Sequence, residues 1–463
     1  MLDFSMEPYK KEMLDTLKEF IRIESVKSAA QPNMPYGRAI FDALMYVQST
    51  AERMDLDCVN MFGHLAYVDY GDGEEMLGIL THVDVVPKGD EWTMPAFEGI
   101  EKDGRIYGRG AIDNKGPAIA ALYAIKALSD NCIQLGKKVR LIFGADEETT
   151  WTDMDYYKAH ERLPDVAFSP DGEYPVINVE KGVIHIELSL SCPPTQGEGV
   201  ALRTLNAGTS VNVVPNRASC VLHAPFALIQ KSVEAYTCPL GANLTCEEDE
   251  TGCTRVNAAG KSAHGSRPEE GINAAASLLL YLNTLPLSDG PAEHAVYTLA
   301  EKIGATLHGE NMELNLSDEP SGDLTLNLGY IRMREGMMKV GLDVRYPVTY
   351  TREDVDVKIK KHLALFEYGC IHSINSLYVP EDSELIQTLK QVYKENTGEE
   401  PYCIAIGGAT YARAFKNAVT FGPLFPGQPK VEHGPDEYME ISSLIKNAEI
   451  IADTIVRLCG RKG

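Results

Sequence analysis

Between Tyr9 and Ile23 the apolar residues Met13, Leu14, Leu17, Phe20 and Ile21 recur every three or four positions, which predicts an amphipathic helix. A second helix is expected from Gly37 to Met54. Apolar runs bounded by glycines and acids follow at His64–Tyr70, Met76–His82 and Val139–Phe143, and their length and borders predict strands. Between the last two lies the alanine-rich stretch Gly116–Leu128, helical by propensity. Strand, helix, strand in that order predicts a mainly parallel sheet with covering helices, an α/β catalytic domain.

The texture changes near Val183. The segments VIHIELSL, ASCVLHA, LTLNLGYIRM and MKVGLDVRY alternate apolar and polar residues, as strands of a half-solvated antiparallel sheet do. Two helices, Ile272–Leu282 and Arg352–Phe366, are read within this stretch. After Asp382 the first texture returns as a helix (Ser383–Asn396), an apolar strand (Tyr402–Ile406), a glycine turn and a helix (Ala409–Phe415). The expected organisation is a catalytic domain built from residues 1–182 and 382–463, interrupted by an inserted α+β domain at 183–381.

A net charge of −24 disfavours a phosphate backbone as partner, because binding one needs basic patches that displace counterions. The charged N-terminal stretch lacks the apolar core of a secretory signal. No apolar run approaches the ~20 residues of a membrane span. Ten scattered cysteines without a CxxC pair read as reduced thiols. Together these predict a cytoplasmic protein that binds neither membrane nor nucleic acid.

Chemistry concentrates in five short stretches, most of them at predicted strand ends. THVDVVP places His82 and Asp84 on one strand face, where Asp84 could accept the second ring N–H of a metal-ligating His82. YGRGAIDNKGP centres on Asp113, and neither a GxGxxG nor a GxxxxGK[ST] nucleotide loop is completed there; a plain turn with Asp113 as helix cap is the other reading. IFGADEET runs an apolar strand into Asp146, Glu147 and Glu148, adjacent carboxylates that repel unless a cation or a shared proton relieves them. A solvated helix start would also favour acids. FSPDGEYP carries Asp171 in a turn, and VEHGPDEYME carries His433 in a loop. Each stretch alone is weak. Their conjunction at the carboxyl ends of strands in one sheet is what points to a site, and two histidines with three or four carboxylates suffice for two metals sharing one bridging carboxylate.

The order H-x-D, G-R-G-x-x-D-x-K-G, D-E-E, P-D-G and a late His resembles the zinc metallopeptidase family that includes carboxypeptidase G, aminoacylase, succinyl-diaminopimelate desuccinylase and carnosinase. Within it, YGRGAIDNKGP, SPDGEYP, GATYARAF and FGPLFPG are similar to the PepV-like dipeptidases. The resemblance implies that His82, Asp113 and Asp171 hold one divalent metal and Asp113, Glu148 and His433 a second, with Asp113 as the bridge. It implies Glu147 as general base toward the attacking water and Asp84 as the residue orienting His82. Zinc suits the mixed ligand set, and manganese or cobalt is also compatible.

The same resemblance makes the insertion a lid. His264, in GKSAHGSRPEEG, would stabilise the tetrahedral oxyanion. Asn212 and Arg345 would bind substrate, Arg345 by clamping its C-terminal carboxylate bidentately. Gly407 and Gly408, in the turn Ile406–Thr410, would offer backbone N–H groups to the same carboxylate at the start of a helix. The expected reaction is hydrolysis of dipeptides or other very short peptides by a monomer; an N-acyl amino acid hydrolase is the alternative within the family. One departure stands out: the PepV-like pattern has a second Asp after the bridging one, whereas here it is Asn114.

Overall fold

The computed structural model describes residues 4–194, 199–249 and 252–461. The chain divides into two compact units, one of residues 1–179, 377–404 and 409–463, the other of residues 180–376 and 405–408.

The first unit is built on a mixed sheet. Its centre is parallel: Lys138–Gly144 pairs with Met76–His82, which pairs with Val166–Ser169, which pairs with Ala418–Thr420. Antiparallel strands flank this centre, Ala66–Tyr70 on one side and Val176–Glu180 on the other. Met76–His82 is buried at every residue, as expected of a central parallel strand covered on both faces. The helix Lys115–Asp130 is buried nearly all round, because Lys10–Ile21 and Ile441–Cys459 both pack on it. In a parallel sheet all carboxyl ends lie on one edge. His82 ends its strand opposite Gly144, Asp146–Glu148 follow that glycine, and Asp171 lies two residues beyond Ser169.

The second unit is an eight-stranded sheet in the order 243–248, 254–259, 217–223, 201–207, 325–334, 337–346, 182–191 and 367–374, antiparallel at every pairing. Alternation sends Ile184, Ile186, Leu188, Val340, Leu342 and Val344 into a core shared with the helices Ala274–Leu282 and Pro291–Lys302. Both units match the expected fold class.

Three elements differ from the sequence reading. Phe226–Ala235 and Pro291–Lys302 are additional α-helices in the second unit. Pro291 takes the first helical position and Pro225 caps Phe226, so each proline starts a helix rather than breaking a strand. The predicted helix Ala409–Phe415 is only a four-residue 3-10 turn, Tyr411–Ala414, because the strand Ala418–Thr420 begins too soon afterwards for an α-helix to develop. Among the described residues no helix is long and apolar enough to cross a membrane.

Candidate metal centre

At the carboxyl edge of the parallel strands, five side chains from five separate stretches converge. His82, Asp113 and Asp171 form one group and Asp113, Glu148 and His433 another; within each group the candidate ligand atoms all lie within 4.8 Å of one another. His82 Nε2 is 3.0 Å from Asp113 Oδ1 and 3.7 Å from Asp171 Oδ1. His433 Nε2 is 2.9 Å from Asp113 Oδ2 and 3.2 Å from Glu148. The two Asp113 oxygens thus face the two histidines separately, as a bridging carboxylate requires.

The electrostatics fit a cationic guest. Burial, Asp171 and the neighbouring carboxylates push the Glu147 carboxyl well above its ordinary range, with His82 opposing. Burial and Asp113 raise Glu148 to about 7 against the pull of His433. Burial would lower the His82 pKa, but Asp171 and hydrogen bonds to Asp113, Asp171 and Asp84 carry it well above the usual value. Hydrogen bonds to Asp113 and Glu148 push His433 up to about 11. Divalent cations among these crowded carboxylates would relieve the same repulsion. Two imidazoles with three carboxylates are a donor set that suits divalent zinc, manganese or cobalt.

The supporting contacts were only partly foreseen. His82 Nδ1 lies 3.0 Å from the backbone carbonyl of Asp84 and 3.4 Å from its carboxylate, so the main chain is the closer acceptor. The Asp84 carboxylate accepts instead from the Glu148 N–H at 3.1 Å, tying the D-E-E turn to the His82 strand. Asp146 turns away from the ligands. Its carboxylate accepts from Thr150 Oγ1 and from the N–H and Oγ1 of Thr152, and pairs with Lys27. The three consecutive acids therefore divide, with Asp146 fixing the turn.

Asn114 is buried, and its amide donates to Pro170 O at 2.8 Å and to Asp171 Oδ1 at 2.9 Å. A carboxylate at this position could not donate either bond. Sequence reasoning missed Arg109 and Glu437 altogether, a buried ion pair at 2.6 Å beneath the site. Arg109 lies four residues before Asp113 and Glu437 four after His433, yet no local signal joins two residues 328 apart.

In the second unit, Asn212, His264, Arg345 and Gly407 occupy one neighbourhood. Val213 bridges His264, and Gly265 N–H donates to Asn212 O at 2.7 Å. The Ser266 N–H donates to His264 Nδ1 at 3.2 Å, which leaves the ring proton of a neutral imidazole on Nε2. Burial and Arg345 lower the His264 pKa, favouring that neutral form. Arg345 is buried and already engaged: Nη1 donates to Gly407 O and Nη2 to Asp343 Oδ2, each at 2.8 Å. Ser266 Cβ would be 2.7 Å from a Cβ at Gly407, so glycine is needed there. Because the turn through Gly408 leads to a 3-10 segment, the helix-dipole argument for anion binding at this turn does not hold.

The sequence matches Peptidase family M20/M25/M40 over residues 78–457. It is 35% identical over 458 residues to a putative dipeptidase, YtjP, of Bacillus subtilis (strain 168), covering 97% of each chain. It is 33% identical to a Beta-Ala-Xaa dipeptidase of Lactobacillus delbrueckii subsp. lactis, covering 98% of this chain and 97% of that one. The fold resembles human carnosine dipeptidase 1, with a TM-score of 0.58 at 16% identity over 98% of both chains. It also resembles aminoacylhistidine dipeptidase from Vibrio alginolyticus, with a TM-score of 0.59 at 15% identity over 99% of this chain and 98% of that one. The chain belongs to Peptidase family M20/M25/M40. It is a metal-dependent hydrolase of that family.

Proposed function

We propose that this protein cleaves dipeptides and other very short peptides, holding one divalent metal with His82, Asp113 and Asp171 and a second with Asp113, Glu148 and His433. The observation that carries the reading is the pair of ligand groups sharing Asp113 at the carboxyl edge of the sheet. When bound, the metals would lower the pKa of water and polarise the scissile carbonyl. Glu147 takes the proton released by the attacking water and returns it to the leaving amine; burial and Asp171 raise its carboxyl above the ordinary range, which makes it a stronger proton acceptor than a solvated carboxylate. Asp84 and Asn114 hold His82 and Asp171 in place through the contacts described.

Residues of the antiparallel unit serve the substrate. His264 offers an Nε2–H, the donor a developing oxyanion needs. Arg345, oriented by Asp343 and Gly407, supplies positive charge for a C-terminal carboxylate, with Asn212, Gly407 and Gly408 beside it. The names of the two relatives above support dipeptides as the substrate class. All ten cysteines are free, which supports a reducing, cytoplasmic setting.

The test is a panel of free dipeptides, their N-acetylated counterparts and longer peptides, offered to chelated protein and then to zinc- or manganese-reconstituted protein. Metal-restored cleavage confined to the free short peptides supports the proposal. Preference for the N-acetylated compounds would replace it with an N-acyl amino acid hydrolase, and efficient trimming of long peptides would refute the size limit.

A further inference from the structure

Two loops supply the ligands of the Asp113–Glu148–His433 group that do not come from the D-E-E turn. One carries Asp113 after the glycines Gly108 and Gly110, and the other carries His433. Neither loop is regular secondary structure over its ligand, and His433 itself sits in the left-handed region at φ 60°. A non-glycine residue there costs free energy and persists only when its surroundings hold it.

Beneath the two loops Arg109 and Glu437 form an ion pair with side chains 1% and 0% exposed. Burying such a pair is expensive, and well-packed apolar residues of like volume usually serve stability as well or better. Its remaining hydrogen bonds indicate another role. Glu437 Oε2 accepts from Arg109 Nη1 at 2.6 Å, while Oε1 accepts the backbone N–H groups of Ile112 at 3.0 Å and Asp113 at 3.2 Å. A residue from the His433 loop therefore fixes the main chain of the bridging ligand. In return Arg109, from the Asp113 loop, donates through Nη2 to the His433 carbonyl at 3.2 Å and to Lys88 O at 3.2 Å. A backbone bond from Gly108 N–H to Glu437 O at 2.8 Å runs alongside. Each member of the pair thus grips the backbone of the ligand on the opposite loop. The Trp92 ring, 5.3 Å from the guanidinium, closes its outer side.

We propose that Arg109 and Glu437 are positioning residues, a clasp that sets the separation of Asp113 and His433 and so selects for the second metal. Neither side chain touches metal or substrate; both act through the two main chains. Because His82 and Asp171 keep their own supports in Asp84 and Asn114, whereas His433 is held from the clasp side, loosening the clasp weakens the second ion far more than the first.

The test replaces the pair together, Arg109→Met with Glu437→Leu, so that no lone charge is left buried, and adds Glu437→Gln, which keeps an acceptor but loses the ion pair. Chelated proteins are titrated with zinc against a chromophoric competitor, and folding is followed by circular dichroism and thermal denaturation. The expected result is two ions in the wild type, and in each folded variant one ion near wild-type affinity with the second about 10- to 100-fold weaker, as for other residues that support ligands indirectly. Two ions at wild-type affinity in either folded variant overturns the clasp, and so does an equal loss at both sites. Should the double variant fail to fold, Glu437→Gln decides alone; should neither fold, the pair is a stability element and the proposal is overturned. The inference rests on the two-metal reading, and the outcomes separate: a wild type that binds fewer than two ions would sink that reading itself.

Discussion

Replacing Asn114 by Asp restores the acid expected from the PepV-like pattern and sets two carboxylates against each other. The Asn114 amide now donates to Asp171 Oδ1 at 2.9 Å. In Asn114→Asp that contact becomes acceptor against acceptor. Two unit charges at that distance repel by about 6 kcal/mol at an effective dielectric constant near 20. The molecule has a cheaper escape, which is to protonate one of them. Starting from an ordinary pKa of about 3.9, holding a proton at pH 7 costs about 4 kcal/mol. The deficit in the chelated protein is therefore capped near 4 kcal/mol at pH 7 and near 1.5 kcal/mol at pH 5. The sign follows from linkage: a carboxyl whose pKa is raised by folding costs nothing below its unfolded pKa, and stability falls as pH climbs above it. Divalent zinc, placed among the same carboxylates, removes most of the repulsion, so the variant gains more stability from zinc than the wild type does. The assay is urea denaturation of both chelated proteins at pH 7 and pH 5, repeated with zinc. Equal stabilities at pH 7, or a deficit that grows on acidification, would contradict a repulsion between the introduced carboxylate and Asp171.

Glu147→Gln is expected to lower kcat roughly 100- to 10,000-fold, the usual worth of a positioned base. It should leave both metals bound and the chelated protein no less stable, since it removes a carboxyl whose ionisation is opposed by burial and by Asp171, Glu148 and Asp113; steady-state kinetics with a metal count checks this, and kcat within tenfold of wild type would contradict it. Metal affinity should rise with pH. His433, pushed up to about 11 by hydrogen bonds to Asp113 and Glu148, holds a proton at pH 7 that an incoming ion must displace, giving about a tenfold gain per pH unit for each proton released. Zinc competition titrations at pH 6, 7 and 8 read this directly, and a flat profile would contradict it.

The sequence was most legible where chemistry and local geometry coincide. Met76–His82 reads as a buried strand and ends in a possible ligand, and the same holds for the strand that runs into Glu147 and Glu148, so the converging stretches could be singled out before their distances were known. What could not be read depended on contacts distant in the chain. Arg109 and Glu437 meet across 328 residues, and each looks locally like an ordinary loop charge. The actual acceptor of His82 Nδ1 is a main-chain oxygen, which no side-chain pattern specifies. Asp146 resembled its two neighbours until the hydroxyls of Thr150 and Thr152 were seen to hold it. Helices 226–235 and 291–302 were missed because short amphipathic turns amid alternating strands give little periodicity to read, and 409–415 was overread because propensity is blind to how soon the next strand begins.

Stepwise metal loading tests the two-ion site most directly. Chelated protein is titrated with zinc while hydrolysis of a free dipeptide and the number of bound ions are followed together. A two-ion site gives negligible turnover without metal and an activity that climbs to its full value only as the second equivalent binds; full activity with a single ion, or turnover undiminished by exhaustive chelation, would contradict it.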